Sequence, residues 1–287
     1  MQKASRSPAP RRAARIASWC AALGLLAFLF ADPLMLLLGD ALAHGEPQAL
    51  VLRYPAQLRE ELRRAGLRYT PYAEIPACAK EGIVSVEDKR FFSNTGIDLI
   101  AILRVLAMSV VNDHQDHGGS TITQQLARIV IREPRKEPSM LAEALGLARI
   151  LRYTLILNHD FTKPQIMELY FNAVYFGRHA QGIAQAAQAY FHASLVRLTL
   201  GECLYLTGLP QAPAIFGRDP GGPAAMGRYR HVVATLVRNG YLAPAAARVL
   251  DRQNLFPPAS SSPSGDAFVR PALVLNGFSR QHERGEP

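Results

Sequence analysis

The chain has 287 residues, of which 49% are hydrophobic and 19% charged, so it can bury a core and most of it cannot be disordered. Three cysteines exclude a disulfide scaffold and a four-cysteine zinc site. The net charge of +9 points to anionic partners, yet no basic cluster interleaved with aromatics is present, which argues against nucleic acid.

Much of the excess charge sits at the amino terminus. Lys3, Arg6, Arg11, Arg12 and Arg15 fall within residues 1–15 with no acid among them, and a short basic cytoplasmic segment is expected there. Residues 16–38 are apolar apart from Ser18 and Asp32. At about 1.5 Å per residue they span roughly 35 Å, enough for a hydrocarbon core of ~30 Å. One transmembrane helix is expected, with the basic flank in the cytoplasm and the rest of the chain exported. A cleaved signal peptide is the competing reading, since Ala41-Leu42-Ala43 offers a cleavage site, but the apolar stretch exceeds a usual signal core. Export implies an oxidising compartment, in which Cys78 and Cys203 could pair. Two buried thiols is the plainer expectation.

Residues 44–80 form a lead-in. Apolar residues from Leu50 to Arg64 recur near helical spacing, with Pro55 as an interruption, and residues 69–76 read as extended. From residue 81 onward apolar periodicity predicts helices over 99–111, 122–131, 140–157, 164–174, 183–191, 200–209 and 226–239. Thr199, with Glu202 behind it, is a helix start. Period-two alternation is scarce, so the domain over 81–245 is expected to be all-α. A Pro/Ser run from residue 257 marks a tail, set at 246–287.

Two segments carry chemistry. The first places Glu87, Asp88, Lys89 and Arg90 beside Phe91 and Phe92 and turns at Gly96 after Asn94. The second, Gly118-Gly119-Ser120-Thr121-Ile122-Thr123-Gln124-Gln125, has paired glycines and then a Ser/Thr helix start, whose free N–H groups suit an anion. The intervening Asp113, His114, Asp116 and His117 read as a hydrophilic loop rather than a metal site. The apolar residues before them suit either a core helix or a segment dipping into a lipid leaflet.

Taken together these segments resemble the peptidoglycan glycosyltransferases of family 51, whose motifs are E-D-x-x-F-x-x-H-x-G and G-G-S-T-I-T-Q-Q. The second is matched in full. Lys163-Pro164-Gln165-Ile166-Met167-Glu168-Leu169-Tyr170-Phe171-Asn172 is similar to the family's K-x-x-I-L-E-x-Y-L-N, and the likeness covers about residues 70–240. Asn94 stands where the family has His. Of the family's R-K-x-x-E only Glu143 is kept.

The resemblance implies a lysozyme-like helical glycosyltransferase domain that polymerises lipid II into β-1,4-linked glycan, inverts the anomeric centre and releases undecaprenyl pyrophosphate. It implies Glu87 as the base for the acceptor hydroxyl, raised in pKa by burial against Phe91 and Phe92, and Glu143 as the second catalytic carboxylate. Asp88, Arg104, Gly119, Ser120, Thr121, Gln124, Gln125, Arg128 and Arg135 are the implied substrate-binding residues. Within this group Ser120, Gln124 and Gln125 serve as contacts or loop supports, and Arg128 is the leading phosphate ligand. Glu168, Tyr170 and Asn172 are expected mainly as a structural helix motif. A divalent ion, Mg or Mn, is compatible with the family, though the sequence shows no dedicated cage. The implied partners are lipid II, the growing lipid-linked strand, the membrane and cell-wall or division proteins. The implied location is the bacterial inner membrane, with the domain in the periplasm. Neither S-x-x-K nor K-T-G occurs, so a monofunctional enzyme without transpeptidase activity is expected. Two other readings compete: a degenerate lipid II binder or scaffold, and a lytic lysozyme-like enzyme.

Overall fold

The computed structural model describes residues 46–101, 120–132 and 140–256. Among them the structure is helical, with a single isolated bridge between Tyr175 and Gln181 and no strand. The segment expected to span a membrane, residues 16–38, lies outside the described residues, and no described helix is long and apolar enough to cross a membrane.

Helix α1 (Glu46–Arg64) buries Val51, Leu58 and Leu62 on one stripe and packs on α4 and α5 below. It runs through Pro55 without a break, contrary to the interruption expected there. Gly66, at φ +68°, ends it in a left-handed turn, with Leu67 N–H donating to Leu62 O at 2.8 Å. The stretch expected to be extended contains a 3₁₀ turn, Tyr72–Glu74. Helix α2 (Ala77–Glu87) is largely internal, with Ala79 and residues 81–85 buried. Its partners are α7 and α9.

Side-chain caps start the next helices. Thr121 and Gln124 form a reciprocal capping box for α3 (Ile122–Val130), which lies along α4 (Met140–Asp160). Thr162 and Gln165 do the same for α5 (Lys163–Ala173). Helix α6 (Ile183–Phe191) follows Gly182 at φ +83° and stops at left-handed His192. Thr199 and Glu202 cap α7 (Leu200–Gly208), as the sequence predicts. The short α8 (Pro213–Phe216) leads to α9 (Pro223–Arg238) and α10 (Pro244–Arg252).

Two features differ from expectation. Cys78 on α2 and Cys203 on α7 are joined in a disulfide across 125 residues of sequence, not held as separate thiols. Beside it the two helices touch closely: a Cβ on Gly82 would lie 2.8 Å from Thr207 Oγ1. The packed core also continues past residue 245. Leu250 and Leu255 are buried, and Phe256 stacks on Phe191 at 5.3 Å between centroids and meets Tyr205 edge-on at 5.0 Å.

Candidate active site

Glu87 is the last residue of α2, and its carboxylate is held from two sides. Gln125 Nε2 donates to one oxygen at 2.9 Å, and Arg228 Nη2 to the other at 2.7 Å. The arginine and glutamate side chains are only 10% and 12% exposed. A pair so enclosed costs desolvation and persists only if each partner is well bonded. Arg228 meets this with a second bond, Nε to Gly208 O at 3.1 Å. Tyr170 OH donates to Gln125 Oε1 at 3.0 Å, which points the amide N–H at Glu87. The carboxylate is therefore set by α3, α5 and α9 together. Phe91, fully buried, and Phe92 are the aromatic rings expected to pack against it. They pack edge-to-face on each other at 5.0 Å, and the Lys163 ammonium lies 4.9 Å from the Phe91 ring centre.

Asp88 was expected to bind substrate but is turned inward, 4% exposed. Asn94 Nδ2 donates to Oδ1 at 2.8 Å, and Ile122 N–H at the start of α3 donates to Oδ2 at 3.2 Å. The anion at this helix start is thus a carboxylate of the chain itself. Burial pushes Asp88 up to about 6, against the lowering effect of these bonds and of Lys163. Burial likewise pushes Lys163 down to about 8. Asn94, where the family has His, keeps the turn connected: its Oδ1 accepts from Gly96 N–H at 3.0 Å and from Lys163 Nζ at 3.0 Å.

Thr121 and Gln124 are buried and engaged in the capping box, and Thr121 Oγ1 also donates to Gly96 O at 2.6 Å. They support the loop rather than presenting surface to a ligand. Ser120 is exposed, directly before α3. Arg128 is half-buried on α3, three positions after Gln125, which places both on neighbouring parts of one helix surface. Glu143 is exposed in the first turn of α4. Arg104, Gly119 and Arg135 lie outside the described residues, as does the loop with Asp113 and His117.

The motif on α5 divides its work. Glu168 accepts from Tyr69 OH and Tyr72 N–H, each at 2.7 Å, and Asn172 pairs with both backbone groups of Thr70. These two clamp the lead-in segment, while Tyr170 alone faces Gln125 and Glu87. Among the described residues no three His, Cys, Asp or Glu side chains gather to hold a metal ion. The Glu87 and Asp88 carboxylates are engaged within the chain instead, by Gln125, Arg228, Asn94 and the Ile122 N–H.

Arg228 escaped the sequence reading because it lies 141 positions from Glu87. One signal was available. Ala225, Tyr229, Val232 and Leu236 form the buried stripe of α9, and Arg228 falls at its edge, where an arginine needs a partner.

The family profile described as Transglycosylase matches residues 56–237. The chain is 30% identical over 204 residues to penicillin-binding protein 1A of Rickettsia felis, covering 69% of this chain and 25% of that protein. It is 33% identical over 198 residues to the protein of that name in Rickettsia bellii, covering 67% and 24%. Against that of Escherichia coli K12 it is 34% identical over 169 residues, covering 59% and 19%. The chain thus spans about a quarter or less of the length of these relatives. With the matched profile covering most of the described residues and Glu87 and Gln125 paired at its centre, the chain belongs to the transglycosylase family, the peptidoglycan glycosyltransferases of family 51, and is a glycosyltransferase enzyme.

Proposed function

We propose that the chain polymerises lipid II into β-1,4-linked glycan strands, with inversion and release of undecaprenyl pyrophosphate. The observation that carries this is the Glu87 carboxylate, fixed between Gln125 and Arg228 at the end of α2. Each carboxylate oxygen has a second lone pair, so Glu87 still has acceptor capacity for a proton. It takes the proton of the acceptor 4-hydroxyl as that oxygen attacks the anomeric carbon. The bond to the donor phosphate breaks on the opposite face, which turns an α-linked phosphate into a β-glycoside. Pyrophosphate leaves as a stable anion, so cations rather than a strong acid are needed where its charge develops. Arg128, Arg104 and Arg135 are proposed for that role, with Ser120 at the loop edge and Glu143 stabilising the oxocarbenium-like transition state. The domain works at the outer face of the inner membrane, anchored by residues 16–38, without transpeptidase activity.

Asn94 supports a working site over a degenerate binder, because it bonds Asp88, Gly96 and Lys163 at once. The test is polymerisation of labelled lipid II by detergent-solubilised full-length protein, with Glu87→Gln alongside. Long lipid-linked strands are expected from the wild type, with a loss of ~100-fold or more in the variant, the usual worth of a general base. Release of new reducing ends from preformed glycan would instead assign a lytic enzyme.

A further inference from the structure

We propose that Lys163 is a positioning residue for this reaction: through Asn94 it orients the Asp88 carboxylate that ties the Glu87 turn to the start of α3. The proposal rests on the reading of Glu87 as the base.

Lys163 stands in the first turn of α5, the end of a helix that disfavours a cation. It is also half-buried. Both effects oppose its charge, and three groups compensate. They are the Phe91 ring at 4.9 Å, the Asn94 amide oxygen at 3.0 Å and the nearby Asp88 charge. An ammonium only donates, so it accepts no orientation of the Asn94 amide but one: oxygen toward α5, NH₂ toward Asp88. The observed bonds follow that rule. Asn94 Oδ1 receives Lys163 Nζ and Gly96 N–H, and Nδ2 donates to Asp88.

Asp88 in turn accepts the Ile122 N–H that opens α3, and one turn along α3 Gln125 bonds Glu87. The path from Lys163 to the catalytic carboxylate is thus continuous hydrogen bonding and helix backbone. Two charged groups bear on Asp88. Lys163 favours its ionised form. Asp98 opposes it, although Arg90 pairs with Asp98 at 2.7 Å. Burial opposes it most. Removing the Lys163 charge releases the amide to turn over and leaves Asp88 to protonate at a higher pH, when it accepts hydrogen bonds more weakly and α3 loses its anchor beside Glu87.

The experiment is the initial rate of lipid II polymerisation against pH and substrate concentration for wild type, Lys163→Met and Lys163→Arg, with melting curves to establish folding. Lys163→Met is expected to lower kcat ~10-fold with KM within about twofold, as a misplaced catalytic group does. It should move the acidic limb of the pH profile up by ~1 unit, the effect of losing one nearby cation. Lys163→Arg, which keeps the charge, should restore the limb. A folded Lys163→Met with wild-type kcat and an unmoved limb overturns the proposal. If that variant does not fold, Asn94→Leu cuts the path at its centre, and an unmoved limb there overturns it equally. A wild type that makes no polymer defeats the functional reading instead. The relay is then judged by a double-mutant cycle of Lys163→Met and Asp88→Asn in melting temperature, where additive shifts refute it.

Discussion

The disulfide between Cys78 and Cys203 makes a prediction whose size follows from topology. It closes a loop of 125 residues. The chain-entropy relation for such a loop gives about 4.9 kcal/mol of stabilisation at 25 °C, by restricting the unfolded chain. A domain of this size shifts by about 2–4 °C per kcal/mol, so reduction should lower the melting temperature by about 10 °C or more. The measurement is a pair of melting curves on full-length protein, oxidised and fully reduced, with thiols titrated under denaturing conditions. The sequence holds three cysteines. The unreduced protein should therefore show one reactive thiol, Cys20, and the reduced protein three. Since α2 ends in Glu87 and α7 ends at the Gly208 carbonyl that receives Arg228, the reduced protein should also lose activity at lower temperature. Three free thiols before reduction, or oxidised and reduced forms melting within about 3 °C of each other, would refute the reasoning.

Other perturbations test other contacts. Arg228→Met should destabilise the domain by about 3–5 kcal/mol, because a buried carboxylate loses its cation, and adding Glu87→Gln should recover part of that loss. A double variant as unstable as the sum of the two singles would count against the pair. Glu81 is buried on α2 with Oε2 unpartnered among the described residues, and burial raises it from an ordinary value near 4.5 to about 7. Between these values the native state keeps a proton that the unfolded chain releases, so stability falls as pH rises through 7. Glu81→Gln should flatten this dependence and raise stability at pH 8 by about 2 kcal/mol after screening, read by urea unfolding at pH 5 and pH 8. A variant with the wild-type slope would exonerate Glu81. Thr121→Val removes the cap on α3 and the bond to Gly96 O, at about 1–2 kcal/mol in a melting curve, while Thr121→Ser should lose far less.

Much of the helical framework was legible because its signals are local. Apolar spacing placed residues 183–191 with the bounds found, where Gly182 and His192 close the helix at either end. Thr199 and Glu202 marked α7 three residues apart, as capping requires. Helix α10 was missed because it is short and merges into a stretch leading to prolines and serines. The break expected at Pro55 does not occur, since α1 is held by Val51, Leu58 and Leu62 against the core rather than by its own propensity.

The same division runs through the site. Glu87, the capped start of α3 and Gln125 stand in contiguous motifs, so residue order alone brings them to notice. What each does was decided elsewhere. Asp88 became an internal anchor because Asn94 and Ile122 face it, and Arg228 reached Glu87 because α9 packs beside α2. Cys78 met Cys203 because α2 and α7 lie side by side. Helix periods and caps depend on groups within four residues of each other, and the sequence by itself determined these. The partners of a buried charge or thiol depend on which helix faces meet across a hundred residues or more, and only the tertiary structure decided them.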